Sequence, residues 1–161
     1  TDVLTGLFSR NAYSRTLKKL DSAGPLPKDL AAFTIDINGL KTVNDSLGHE
    51  AGDELIRGAA ACIVNAFGTG RSCYRTGGDE FVVLTPMSRE EAGDAIKALD
   101  QETRRWRGDK VKSLSVSAGF ALSQDFDELT SEALVRESDK AMYKAKAAYY
   151  RKAGRDRRNR R

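Results

Sequence analysis

Ala12, Tyr13, Thr16, Leu17 and Leu20 recur at helical spacing behind Ser9 and Asn11, and either of those two caps a helix running to about Leu20. Two prolines and a glycine between Asp21 and Lys28 then predict a loop. Leu30 to Ile37 is a near-continuous apolar run, the pattern of a strand buried on both faces. It carries an acid, Asp36, close to its end, and an ionised carboxylate there needs a partner to offset its desolvation. Asn38 to Gly52 is polar and punctuated by glycine. A helix follows to about Phe67, with Leu55, Ile56, Ala59, Cys62, Ile63 and Ala66 on its apolar stripe, and Gly68-Thr69-Gly70 stops it. Ser72 to Thr76 and Phe81 to Thr85 read as a hairpin turning on Gly77 and Gly78, residues that accept the positive φ of a tight turn. Ser88 and Glu91 have capping-box spacing and start a helix that ends near Trp106. Alternation predicts a strand from Val111 to Leu122, and a last helix runs from Ser131 to about Ala153.

Helices interleaved with a hairpin predict an α/β sandwich of ferredoxin-like type, a central mixed sheet covered by helices. The 161 residues suit one domain, 1–161, and 40% hydrophobic with 31% charged residues is an ordinary globular composition. No apolar run approaches the ~20 residues that cross a bilayer, and no signal-peptide pattern opens the chain, so a cytoplasmic location is expected. The start on Thr1-Asp2-Val3-Leu4 suggests the C-terminal output domain of a longer protein. Cys62 and Cys73 lack metal-ligand spacing and are expected to be reduced thiols. Charge is uneven: residues 151–161 hold seven Lys/Arg and one Asp, which leaves 20 basic and 22 acidic residues elsewhere. A basic tail on a mildly acidic body is a solvated helix end or linker, not the basic face of a nucleic-acid-binding domain.

Asp79 and Glu80 put two carboxylates at the hairpin turn. In a sandwich of this type the end of the Asp36 strand lies beside that turn, so Asp36, Asp79 and Glu80 are expected to converge. At ~5 Å and an effective dielectric of ~20 each pair repels by about 3 kcal/mol. Such a cluster holds a proton or a divalent cation, and oxygen ligands favour Mg²⁺ or Mn²⁺ shared with a substrate phosphate. A solvated acidic turn is the plain alternative.

Gly77-Gly78-Asp79-Glu80-Phe81 resembles the signature of the GGDEF family, the diguanylate cyclases that make cyclic di-GMP, a bacterial second messenger, from two GTP. Other stretches agree in order. Asp2-Val3-Leu4-Thr5-Gly6-Leu7 is similar to the family's D-x-L-T-G-L, and Asp36 to Asp45 to its D-x-D-x-F-K-x-x-N-D. Gly48 to Asp53 matches G-H-x-x-G-D, Ser115 to Gly119 resembles the S-x-G strand end, and Asp139 to Lys146 matches D-x-A-[LM]-Y-x-A-K. The resemblance implies a nucleotide-cyclase-like fold and a Mg²⁺- or Mn²⁺-dependent transferase with two metals per site. Asp36 and Asp79, with the Ile37 carbonyl, would hold metal, and Glu80 would help hold the second metal or assist deprotonation of the attacking 3′-hydroxyl. Asn38, Gly39, Leu40 and Lys41 would cradle the β- and γ-phosphates, with Gly78 in the substrate site and Lys41 and Lys146 adding charge. Asn44 and Asp53 would read guanine. Two domains must face each other, so a homodimer is expected, controlled by an upstream sensory domain, with no nucleic acid partner and no membrane contact by this domain.

Taken singly these residues have plainer roles. Asn44 and Asp45 would shape a turn, Asp53 would cap the following helix, Lys146 and Arg75 would be exposed charges, and His49 is a structural hydrogen-bonder rather than a catalyst. The chain also departs from the family pattern. Asn38 replaces the second acid of D-x-D. Gly68 and Arg71 stand where the inhibitory product site has R-x-x-D, so no feedback binding is expected there. Tyr149-Tyr150-Arg151 replaces the usual G-R-N, which removes or shifts a phosphate-contacting arginine. A catalytically quiet GTP-binding domain is therefore the competing function, and a palm-like polymerase or adenylyl cyclase relative is a third.

Overall fold

The computed structural model describes residues 1–159, their side chains through Gly154, so the end of the basic tail lies outside the described residues. Strand β1 (Leu30–Ile37) is the centre: all eight of its residues are buried. It pairs on one side with β3 (Glu80–Pro86) and on the other with β4 (Val116–Leu122), while β2 (Ser72–Arg75) pairs with β3, giving the order β2-β3-β1-β4. All of these pairings are antiparallel. The expected mixed character is confined to a single parallel bridge between Phe8 and Tyr74 at the β2 edge.

A strand buried on both faces must be covered twice. Ala31, Phe33, Ile35 and Ile37 face one core, filled by α3 (His49–Phe67) and α4 (Arg89–Arg105) through residues such as Leu55, Ile63, Ala95 and Leu99. Leu30 and Ala32 face the other, closed by Leu134 of α5 (Ser131–Asn159) and by Tyr13, Leu17 and Leu20 of α1 (Arg10–Ser22). Ser9 is the α1 cap, its hydroxyl accepting from the Ala12 N–H. The capping box is present at α4, where the Ser88 hydroxyl accepts from the Glu91 N–H at 3.1 Å and Glu91 accepts from the Ser88 N–H at 3.0 Å. Both cysteines are free and buried, and burial pushes each thiol up to about 11. Among the described residues no helix is long and apolar enough to cross a membrane.

Three expectations are corrected. The glycine-punctuated stretch contains a helix, α2 (Leu40–Leu47), and α3 begins at His49 rather than after Gly52; Gly48, at φ 91°, separates the two. The last strand begins at Val116. Residues before it are diverted by Glu54 of α3, whose carboxylate accepts from the N–H groups of Lys110 at 3.1 Å and Val111 at 3.0 Å. Neither Gly77 nor Gly78 adopts positive φ. Their turn is held by an arginine instead, as described next.

Candidate active site

The pleat of β1 sets the site. Asp36 stands opposite Glu80 in the antiparallel register, so both side chains lie on the face that α5 covers. Beyond the ladder the Ile37 N–H donates to the Asp79 carbonyl at 3.0 Å, which brings the hairpin turn to the end of β1. Helix α5 approaches closely because β4 offers it a glycine: a Cβ on Gly119 would lie 2.2 Å from the Met142 backbone nitrogen. One turn past Met142, Lys146 Nζ donates to Asp36 Oδ2 at 2.5 Å.

Asp36 nevertheless keeps one oxygen unmatched, since Oδ1 is buried with no hydrogen-bond partner. An orphaned carboxylate oxygen is costly unless something absent from the polypeptide meets it. Burial is the main reason the Asp36 carboxyl lies above its usual range; the nearby Asp79 carboxylate adds to it and Lys146 partly offsets it. Glu80 is also pushed up, by burial and then by Asp139, Asp36 and Asp79, with Arg10 working against them. For Lys146 desolvation is the largest single influence and lowers the ammonium, but the bond to Asp36 together with the charges of Asp36, Tyr150 and Asp79 outweighs it and leaves the group raised. Among the described residues no three acids, imidazoles or thiolates stand together as a ready-made metal site. What the acids offer is narrower than full convergence: a buried orphan oxygen with two further carboxylates close enough to repel it. Hard oxygen donors in mutual repulsion fit a divalent cation such as Mg²⁺.

The turn after Asp36 offers donors. Gly39, at φ 76°, is the N-cap of α2, and no side chain caps that end. The N–H groups of Leu40, Lys41 and Thr42 therefore lack intrahelical acceptors and face outward at the positive end of the helix, an arrangement suited to phosphate. Lys41 is exposed beside them. Asn38 is committed elsewhere. Its N–H donates to the Ser115 carbonyl, its amide nitrogen to Ser115 Oγ, and its amide oxygen accepts from Ser117 Oγ, all at 2.9 Å.

Asn44 lies in α2, half-buried against α3, and Asp53 is in the second turn of α3. Since Gly48 is the N-cap of α3, Asp53 does not cap it, and Asn44 and Asp45 are helical rather than turn residues. His49 is exposed. Tyr149 and Tyr150 pack edge-to-face with centroids 5.2 Å apart and line a cavity of about 430 Å³ together with Gly39, Thr42 and Val43. Arg71 donates to Thr85 Oγ1 and the Pro86 carbonyl, both at 2.9 Å.

Sequence reasoning gave Arg75 no role, yet it grips the signature turn. Its Nε donates to the Gly77 carbonyl at 3.2 Å, Nη2 to the Gly78 carbonyl at 3.0 Å, and Nη1 to Asp2 at 3.2 Å. Arg10 adds a bond to the Thr76 carbonyl at 2.6 Å. Both partners are distant in sequence or lie on the backbone, so no periodicity or composition announces them.

The chain matches the family model described as "Diguanylate cyclase, GGDEF domain" over residues 1–152. Diguanylate cyclase VdcA of Vibrio cholerae is 28% identical over 150 residues, which are 90% of this chain and 43% of that protein. Cyclic di-GMP phosphodiesterase PdeR of Escherichia coli is 32% identical over 149 residues, 91% of this chain and 22% of the relative. Among solved structures, a shortened YfiN (TpbB) of Pseudomonas aeruginosa comprising only the GGDEF domain superimposes with a TM-score of 0.74 at 30% identity, covering 91% of this chain and 88% of that one. The chain thus spans less than half the length of these two curated relatives.

Proposed function

The chain belongs to the GGDEF family of diguanylate cyclase domains, and from that premise we propose that it condenses two GTP into cyclic di-GMP, releasing two pyrophosphates. The observation that carries the reading is the unpartnered Asp36 Oδ1 beside Asp79, at the mouth of the uncapped α2 N-terminus. Asp36, Asp79, Glu80 and the Ile37 carbonyl are the groups that would hold Mg²⁺ or Mn²⁺. When bound, divalent metal supplies charge to stabilise the attacking and leaving oxygens of an in-line displacement.

The chain's own groups do the rest. The N–H groups at the start of α2 bind the β- and γ-phosphates, and Lys41 and Lys146 add positive charge as pyrophosphate departs. Arg75 fixes the turn that carries Asp79, so the acid is in place before substrate arrives. Glu80 accepts the proton of the attacking 3′-hydroxyl as a carboxylate, and its burial beside Asp139, Asp36 and Asp79 raises its affinity for that proton. Asn44 and Asp53 pair with the donor and acceptor edge of guanine, so that adenine would leave them unmatched. One domain offers one such set of groups. The second GTP is therefore presented by a second copy, and each 3′-oxygen forms a bond to the other nucleotide's α-phosphorus as a pyrophosphate bond breaks.

A quiet GTP-binding domain is the second reading. It is favoured by Tyr149-Tyr150 beside the phosphate turn and by the match to PdeR, whose name is that of a phosphodiesterase. The two readings separate when concentrated protein is incubated with GTP and Mg²⁺ and the products are resolved by chromatography. Cyclic di-GMP from the parent and none from Asp79→Ala or Glu80→Ala supports the cyclase. GTP retained but unchanged, even in a fusion forced to dimerise, supports the quiet domain.

A further inference from the structure

Two glycines lie inside α3, where each costs about 1 kcal/mol relative to alanine, and neither takes a left-handed φ. Room explains both. A Cβ on Gly58 would fall 2.5–2.7 Å from the Trp106 indole, so that space is filled by apolar packing. At Gly52 the neighbour is polar. A Cβ there would lie 1.7 Å from Oδ1 and 2.8 Å from Cγ of Asn44.

Both backbones are fixed. The Gly52 N–H donates to the Gly48 carbonyl at 3.2 Å, and the Gly48 N–H donates to the Asn44 carbonyl at 3.0 Å, so neither helix can retreat alone. Gly52 itself is buried. The Asn44 amide, by contrast, is half-buried and enters no side-chain hydrogen bond among the described residues. The fold therefore reserves a slot, lined by the bare face of Gly52, for an amide with no side-chain hydrogen bond among the described residues. The next residue, Asp53, is the carboxylate assigned to the same base.

We propose that Gly52 is a positioning residue for base recognition: its missing side chain sets the Asn44 amide at the depth where, with Asp53, it meets the edge of guanine. The proposal rests on the GTP reading above and adds a specificity determinant that itself touches no substrate. Alanine at this position forces the amide out of its slot, because the clashing atoms are the amide itself, the free end of the Asn44 side chain, which must rotate away.

Binding of a fluorescent GTP analogue with Mg²⁺ to the whole chain tests this in a four-member cycle: parent, Gly52→Ala, Asn44→Ala and the double variant. Gly52→Ala is expected to weaken binding about tenfold, the scale of one mis-set hydrogen bond. It should raise KM for GTP similarly while leaving kcat at saturation within about threefold. In the Asn44→Ala background the same change should cost nothing further, since the clashing amide is gone, and the double variant should melt no lower than Asn44→Ala. Parent-like binding by Gly52→Ala, or an undiminished loss in the double variant, overturns the positioning role. If Asn44→Ala itself binds GTP as the parent does, the guanine reading fails as well, so the two failures are distinguishable.

Discussion

Asp2 links the start of the chain to the signature turn, and its titration should be visible in stability. Burial raises the carboxyl, but hydrogen bonds from the Thr5 hydroxyl and N–H and the Arg75 guanidinium outweigh it and leave the group below its ordinary 3.8. The folded state therefore holds this proton less tightly than the unfolded one. The stabilisation is complete above the unfolded pKa and is lost as pH falls through the folded value. Asp2→Asn should lower the melting temperature at pH 7 by about 2–4 °C, and the gap to the parent should close as pH falls below 3.8 through the lowered folded value. A gap that persists into acid would mean that packing, not charge, is what the carboxylate provides. At the same scale, Asp36 should mark the metal. With a non-hydrolysable GTP analogue present, Mg²⁺ at tenfold its dissociation constant should stabilise the parent by about 1.4 kcal/mol, and Asp36→Asn should show little of that rise in a thermal melt. The acids and Asn44 were singled out in the sequence by the ordered family pattern, since taken singly each has a plainer role. The grip of Arg75 and the Ser115 and Ser117 bonds to Asn38 were not, since each joins groups brought together only by the sheet.

Among the elements, those whose apolar stripe faces a core were readable and those positioned by polar contacts were not. The capping box at Ser88 and the buried run of β1 specify their own structure locally. Helix α2 escaped because both of its ends are glycines without side-chain caps, so the punctuation that reads as loop instead delimits a short helix. The segment before β4 alternates like a strand, but the Glu54 carboxylate claims its N–H groups. Close approach of α5 to β4 is a property of the pair of elements, and it rests on Gly119. Backbone lies 2.2 and 2.5 Å from where a Cβ would sit, so neither neighbour can move aside cheaply. Gly119→Ala should cost on the order of 1–3 kcal/mol, or roughly 3–10 °C in melting temperature. It should also lift Lys146 from Asp36 and so weaken GTP binding in the protein that remains folded. Unchanged melting and binding would show that α5 tolerates a wider seat on the sheet.

For the molecule as a whole, the groups proposed to bind phosphate and metal sit at one end of a single sheet: the mouth of α2, the end of β1, the signature turn and one turn of α5. On the proposed reading that end of the sheet is a half-site. Each domain would hold one GTP, and the described residues offer one such set of groups, so a bond between two nucleotides would require two domains facing each other. Stability does not demand that encounter, because both sheet faces are already covered within one chain. The dimer is then a transient of catalysis, and its population at low concentration rises with the square of protomer concentration. The rate per protomer should accordingly increase about in proportion to protein concentration from the nanomolar range upward, and level off only when dimers dominate. Fusion to a dimer-forming coiled coil should remove that dependence and raise the rate at low concentration. Variants at Asp79 should stay inactive in the fusion, because forced proximity supplies a partner but no metal ligand. A rate per protomer that stays flat from nanomolar to high micromolar in the unfused chain would mean that one domain assembles both nucleotides by itself, and the half-site account would fall with it.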